Sequence, residues 1–167
     1  MIDPSQHEPT SRRLKFPSGY QIAASDAPLL PWSHVVERLA RAHNYWLVTT
    51  RPDGRPHATP VWGAWVDDAF YFDGIWTARW ARNLATNPAA TVHLESGADV
   101  VILEGTVEDV VPEPEVAARI VAAYVAKYGS DAPIPEAANG MYRLRLRSAR
   151  AWSSFPDDAT RWGFSNV

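Results

Sequence analysis

The sequence has 167 residues, of which 46% are hydrophobic and 21% are charged, and its net charge is -3. This length fits one domain that can bury a core without disulfides or metal ions. A weakly acidic chain has no general attraction for phosphate backbones, so we do not expect a nucleic-acid partner. The absence of cysteine excludes disulfides, thiolate metal sites and cysteine nucleophiles.

The beginning of the chain predicts an arm rather than a targeting segment. The first eight residues have no cationic end followed by an apolar run, and nothing approaches the roughly eighteen unbroken apolar residues of a membrane span. We therefore expect a cytoplasmic protein that does not bind a membrane. Residues 1–30 carry four prolines among polar residues, which predicts an arm that is ordered only where it lies on the body or on a partner subunit. Residues 31–167 are expected to form a single domain.

The rest of the chain reads as strands joined by short turns, with three helices. Ser33 can cap a helix that reaches residue 42, and strands are predicted at 45–50 and 56–65 around a turn at 51–55. A turn at 67–68 leads to a strand at 70–72, and a helix follows at 77–85. Strands at 90–95 and 100–111, a helix at 115–128 opened by Pro114, and strands at 141–148 and 149–155 complete the chain. This order predicts a mainly β, α+β fold with a small antiparallel barrel rather than a doubly wound sheet.

A search for catalytic motifs is mostly negative. The sequence has no dinucleotide-binding glycine motif, no phosphate loop and no nucleophile elbow. Two acidic pairs are interpreted as turn residues, because neighbouring side chains point apart. No metal site is expected, since the five histidines show no ligand spacing; they are His7, His34, His43, His57 and His93.

Three features stand above this background. Pro60 lies inside a strand, where it cannot donate to a ladder and so marks an edge, a bulge or a ligand. Arg79 lies in the first turn of a helix, where a cation beside free amides can bind an anion. Arginines at every second position of a late strand predict an exposed face; they are Arg143, Arg145 and Arg147.

The order of these segments resembles the pyridoxamine-phosphate-oxidase-like split barrels, and most closely the actinobacterial branch that binds flavin or deazaflavin coenzymes. The matching segments are 53–62, 70–72, 81–84 with 87–88, 101–107, 127–129 and 160–164. The resemblance implies a six-stranded antiparallel split β-barrel. It also implies a homodimer with two cofactor sites in the grooves between its subunits.

The resemblance also implies where a coenzyme is held. The ring system and ribityl chain would contact the strand residues Thr59, Pro60, Val61 and Trp62. The segment 73–80 would hold the phosphate, and Arg79, Trp80 and Asn83 complete the expected cofactor-binding set.

The phosphate segment departs from the family pattern. Relatives usually carry hydroxyl residues at the positions of Asp73, Gly74 and Ala78, and lysine at that of Trp80. Only Arg79 remains of the cationic pair. Losing two or three charge-assisted donors, each worth about 1.5–3 kcal/mol, predicts weaker phosphate binding. Trp80 is then either tolerated beside a phosphate or forms the wall of a remodelled pocket.

Two functions follow from the resemblance. The first is an oxidoreductase that transfers a hydride to or from a small planar or unsaturated substrate, with the deazaflavin coenzyme F-420 as first choice and flavin mononucleotide (FMN) as second. No catalytic residue is assigned, although Tyr45, His57 and Tyr142 are candidates for proton transfer. The alternative is a non-catalytic binder of haem or a similar flat ligand, or a structural dimer that has lost its ligand.

Overall fold

The structure, a computed structural model, describes residues 9–20, 22–23, 25–135 and 140–164. Its strands are β1 (Thr10–Arg13), β2 (Tyr45–Thr50), β3 (Pro56–Val61), β4 (Ala64–Val66), β5 (Ala69–Asp73), β6 (Ala89–His93), β7 (Val100–Asp109), β8 (Met141–Trp152) and β9 (Thr160–Gly163). Its helices are α1 (Trp32–Arg41), α2 (Arg79–Thr86) and α3 (Pro114–Tyr128), with a short 3-10 turn at Ser18–Tyr20. Within the described part of the chain, no helix is long and apolar enough to cross a membrane.

All strands join one antiparallel sheet in the order β1-β9-β8-β7-β6-β2-β3, with β5 pairing β8 and β4 pairing β5. The long strand β8 organises this sheet. It pairs with β7 along almost its whole length, with β5 through its first residues and with β9 through its last. A register shift at Glu104/Gly105 bends the β7–β8 ladder, because an extra residue increases local twist.

The expected fold class is confirmed, with nine strands rather than six among the described residues and a barrel that is not closed. The hydrogen-bonded path through β2, β6, β7, β8 and β5 ends at β3 on one side and at β4 on the other, and a branch from β8 through β9 ends at β1. Strands β3 and β4 are consecutive in the chain and are separated by Trp62 and Gly63. The predicted strand 56–65 is therefore interrupted. A Cβ at Gly63 would lie 2.4 Å from the Phe70 ring, so only glycine allows the chain to pass there.

Alternating burial places the main core on one side of the sheet, and a second cluster packs α3 against β4 and β5. In β2, Tyr45, Leu47 and Thr49 point inward, while the residues between them are half-buried on the other face. The largest side chains of the core include Phe70, Trp162 and Tyr45, all of which are completely buried. We call the opposite surface of β2, β6 and β7 the outer face.

Two other predicted boundaries differ in the structure. Residues 141–152 form one strand rather than two, since Ser148 and Ala149 continue the ladder with β7. The predicted arm contributes β1, which pairs with β9 and so lies on the body of the protein. The predicted turn at Asp67 and Asp68 is present. Both residues have positive φ, which a two-residue hairpin turn of the primed type requires.

Candidate functional site

Strand β3 carries three of the expected cofactor-binding residues, and Trp62 follows it directly. It pairs only with β2, so one edge of its backbone has no strand partner among the described residues. Pro60 is tolerated because a proline without an N–H group is acceptable on an edge strand. Thr59 and Val61 are half-buried, whereas Pro60 is exposed. A row of backbone groups on β3 is therefore free to meet a ligand.

Trp62, directly after β3, belongs to a surface cluster of aromatic rings. Its indole is 39% exposed and stacks on Tyr128 with ring centroids 4.4 Å apart and planes 9° apart. The His43 ring meets both edge-on, at 5.9 Å from Trp62 and 5.0 Å from Tyr128. We call Trp62, Tyr128 and His43 the aromatic platform. An exposed indole on a rigid base can stack a flat ligand.

Hydrogen bonds from α3 fix the base of this platform. The Gly63 N–H donates to the Tyr128 hydroxyl at 3.0 Å, and the Gly63 carbonyl oxygen accepts from Lys127 Nζ at 3.2 Å. The Tyr128 hydroxyl also donates to the His43 carbonyl oxygen at 2.8 Å. The chain direction after β3 is therefore set by side chains of α3.

Lys127 is an amine held mostly inside the protein. Nζ contacts the Tyr45 hydroxyl and lies 3.4 Å from the Leu39 carbonyl oxygen and 4.7 Å from the centre of the Tyr45 ring. Desolvation lowers the pKa of Lys127 to about 8. Burial also raises the pKa of Tyr45. Because Tyr45 is completely buried, its hydroxyl is a core group that contacts Lys127 and Leu39.

Unpartnered polar atoms lie where β2, β3 and α2 meet. Asn83 is completely buried and donates through Nδ2 to Thr49 Oγ1 at 2.9 Å, but its Oδ1 has no partner among the described residues. His57 is half-buried directly opposite Thr49, and its Nδ1 is likewise unpartnered. A buried polar atom without a partner is unfavourable. These two enclosed atoms therefore lack a polar partner among the described residues.

The segment before α2 offers little to a phosphate. Asp73 accepts a hydrogen bond from the Tyr124 hydroxyl at 3.2 Å, and burial raises the pKa of its carboxyl. Trp80 is only 8% exposed and packs on Phe72 and Tyr142. A Cβ at Gly74 would lie 2.6 Å from the Trp80 ring, so the indole fills the space beside this glycine.

Arg79 is the cation that remains at the beginning of α2. It is exposed and makes no ion pair with the described residues. The structure thus places the expected residues in three settings. Thr59, Pro60, Val61 and Trp62 follow the edge strand, Arg79 faces solvent, and Trp80 and Asn83 point into the core. The residues along β3 and Trp62 suit the ring system of a coenzyme. For its phosphate, the chain offers one cation, Arg79, and the first backbone amides of α2.

The other sequence candidates lie elsewhere. Tyr142 is 6% exposed, stacks on Phe72, and has its pKa raised by burial. On the same strand, Arg143 and Arg145 form ion pairs with Glu108, which is typical of an exposed strand face. The described residues hold no cluster of three or more groups suited to a metal; His7 lies outside them.

Sequence reasoning missed the supporting residues of the platform. Lys127 and Tyr128 were noted only as part of a motif, and Gly63 and His43 were not connected to it. They come from three separate regions of the chain, so no local pattern brings them together. The one available signal was a glycine directly after an edge-strand tryptophan, which marks a bend.

Comparison with known proteins supplies the context for this site. A family model described as pyridoxamine 5′-phosphate oxidase matches residues 32–154. No curated protein sequence matches significantly.

Solved structures match over most of the chain. An F-420 reductase is 25% identical, with a TM-score of 0.55 over 68% of this chain and 93% of its own. A conserved hypothetical protein from Mycobacterium tuberculosis is 23% identical, with a TM-score of 0.61 over 78% and 89%. A heme binding protein from Mycobacterium smegmatis is 23% identical, with a TM-score of 0.61 over 77% of this chain and 57% of its own.

Proposed function

The chain belongs to the pyridoxamine 5′-phosphate oxidase family, and from this premise we propose that it is an oxidoreductase that uses a deazaflavin or flavin coenzyme. The observation that carries the proposal is β3, an edge strand with free backbone groups that leads directly into the exposed, stacked Trp62. We place the coenzyme along this strand, in a groove between two copies of the chain. F-420 is the first choice because one of the similar solved structures, which is 25% identical, is an F-420 reductase.

Different residues of the chain would contact different parts of the coenzyme. Trp62 would stack on the ring system, and the free edge of β3 would meet its polar atoms. The half-buried His57 would lie beside the polar chain between ring and phosphate, and Asn83 would support this region through its hydrogen bond to Thr49. Arg79 would pair with the phosphate in place of the usual group of hydroxyls and lysine.

The bound coenzyme would supply the hydride-accepting or hydride-donating centre, and the protein would supply position, electrostatics and exclusion of water. Of the three candidates for proton transfer, Tyr45 is enclosed in the core and Tyr142 packs beside Trp80. His57 lies on β3 itself, and its Nδ1 has no hydrogen-bond partner among the described residues. We therefore propose His57 as the group that exchanges a proton with the substrate.

The test begins with protein purified from a host that produces deazaflavin. Bands of a deazaflavin or a flavin in the absorbance spectrum support the proposal, whereas a Soret band would identify a haem protein and overturn it. The ligand-free protein is then titrated with F-420 and with FMN, and fluorescence reports binding. Failure of both to bind also overturns the proposal.

Two variants locate the site within this experiment. Loss of one stacking ring is worth about 0.5–1.5 kcal/mol beyond its area, so Trp62→Ala should raise the dissociation constant about two- to tenfold or more. Tyr20→Ala, which removes an aromatic ring that is 70% exposed in the N-terminal segment, is the control and should bind normally. Equal affinities of both variants would place the coenzyme away from β3.

The phosphate contact has its own prediction. Arg79→Gln should weaken binding of FMN by about 1.5–3 kcal/mol, the range for a hydrogen bond to a charged group. Arg82→Gln removes another exposed arginine of α2 and is the matched control. If titration gives the same affinity for Arg79→Gln and the unchanged protein, the phosphate lies elsewhere.

A further inference from the structure

Three arginines stand side by side at the β1 end of the sheet. Arg12 of β1 is directly opposite Arg161 of β9, and Arg161 is directly opposite Arg150 of β8. Directly opposite residues on antiparallel strands project from the same face with Cβ atoms about 4.5–5.5 Å apart. We call these three residues the arginine row.

The charges of the row are only partly balanced. Arg150 bonds to the Glu104 carboxylate at 2.9 and 3.0 Å. Neither Arg12 nor Arg161 makes an ion pair or a side-chain hydrogen bond with the part of the chain that the structure describes. Like charges placed directly opposite destabilise a sheet. Two unbalanced guanidinium groups in a chain of net charge -3 are therefore a local excess of positive charge that an anion would relieve.

The row lines a groove of suitable size for a small molecule. The groove has a volume of about 500 Å³ and is also lined by the exposed Lys15 and by Ile102 and Trp152. Small-molecule sites usually measure about 300–1,000 Å³ and combine apolar walls with a few polar groups. Here the apolar walls come from β7 and the end of β8, and the charges come from the arginine row and Lys15.

We propose that this groove binds a small polyanion that carries at least two carboxylate or phosphate groups. A guanidinium group pairs with either oxyanion through two parallel hydrogen bonds. Because Arg12 and Arg161 are both unbalanced, a single monoanion would leave one of them uncompensated. The groove lies on β1, β9, β8 and the beginning of β7, whereas the coenzyme is proposed for β3 and α2, so this inference does not depend on coenzyme binding.

Titration calorimetry of the ligand-free protein at fixed ionic strength tests the proposal. The probes are inorganic pyrophosphate and tricarballylate, which separate a preference for phosphate from one for carboxylate. Binding of either probe supports the site, provided that Arg161→Gln raises the dissociation constant about tenfold or more. Arg41→Gln removes an exposed arginine of α1 that does not line the groove, and its affinity should be unchanged.

Thermal unfolding supplies a second readout that distinguishes a ligand site from a structural role. The probe should raise the melting temperature of the unchanged protein but not that of Arg161→Gln. Without the probe, Arg161→Gln should be at least as stable as the unchanged protein, because the substitution removes a repulsion. Arg12→Gln, at an exposed position of β1, repeats the test if Arg161→Gln does not fold.

Two results would overturn the proposal. The first is that neither probe binds, and the second is that binding is the same in Arg161→Gln and Arg12→Gln as in the unchanged protein. If neither probe binds and Arg161→Gln also changes the oligomeric state, the arginine row pairs with acidic side chains of a second copy instead.

Discussion

Lys127 joins three elements of the structure through one ammonium group. Its Nζ reaches the carbonyl oxygens of Leu39 at the end of α1 and of Gly63 between β3 and β4, and it contacts the Tyr45 hydroxyl on β2. Desolvation lowers its pKa from 10.5 to about 8. The folded protein therefore loses this proton at a lower pH than the unfolded chain does.

This difference predicts a specific pH dependence of stability. Below about pH 8 both states hold the Lys127 proton, and between about pH 8 and 10.5 the unfolded chain binds more protons than the folded one. The free energy of unfolding should therefore rise with pH in that window. Urea unfolding at several pH values measures the slope. Lys127→Met should flatten it, whereas Lys15→Met, at an exposed position, should not; equal slopes would contradict the prediction.

Gly63 should tolerate no side chain. A Cβ there would lie 2.4 Å from the Phe70 ring and 2.8 Å from the Tyr71 carbonyl oxygen, so Gly63→Ala must displace backbone or core. We expect a loss of about 1–3 kcal/mol in the free energy of unfolding, the usual effect of overpacking. Gly97→Ala is the control, since a Cβ there meets nothing within 4 Å. Denaturant unfolding compares the two, and equal stabilities would refute this account.

At the scale of elements, α2 is bound to the core by its inward face. Trp80, Ala81 and Leu84 are buried together with Asn83. The spacing of these apolar residues is that of one helix face and could have been read from the sequence as a buried stripe. From the family pattern, Trp80 was instead interpreted as a residue at the position of a phosphate-binding lysine.

Trp80→Lys should therefore lower the stability of the protein, whatever its effect on phosphate binding. The change removes an indole between Phe72 and Tyr142 and buries an ammonium group without a partner. We expect a loss of at least about 3–5 kcal/mol, the range for removing a buried aromatic ring. Trp80→Phe keeps an aromatic ring and should lose less. Thermal unfolding of both variants checks this order, and a Lys variant as stable as the Phe variant would contradict it.

The elements show what local patterns can and cannot predict. Residues 45–50 are rich in β-forming side chains, which made β2 predictable from the sequence, and the boundaries are the same in the structure. The break between β3 and β4 depends on the Phe70 ring, which contacts Gly63 only after folding. Likewise, the arginine row depends on the register between β1 and β9, whose residues are about 150 positions apart. Contacts of that kind leave no periodic signal in the sequence.

At the scale of the whole molecule, the outer face predicts a homodimer. Trp46 and Val48 are half-buried on β2, away from the arginine row, and the Trp46 and His93 rings stack with centroids 6.4 Å apart. Contiguous apolar groups on a sheet face are typical of protein interfaces, and a second copy would cover them symmetrically. Light scattering at micromolar concentration should give twice the mass of one chain.

A single substitution tests which face is involved. Val48→Glu places a carboxylate in the middle of the outer face and should shift the protein toward monomers, because a buried unpaired charge is unfavourable. Val111→Glu makes the same change at a residue that is 84% exposed outside the sheet, and should leave the mass unchanged. A stable monomer in the unchanged protein would contradict the dimer and, with it, the coenzyme sites proposed between its subunits.

The pairing of β1 with β9 also bears on aggregation. Without β1, the hydrogen-bonding edge of β9 would be bare beside the completely buried Thr160 and the buried Trp162, and a bare strand edge is a template for pairing with other molecules. In the intact chain the outermost strand carries Arg12 and Arg13 instead, and charged side chains discourage such pairing. Removal of residues 1–13 would therefore delete the four residues of β1 and also expose an edge that favours fibre-like assembly.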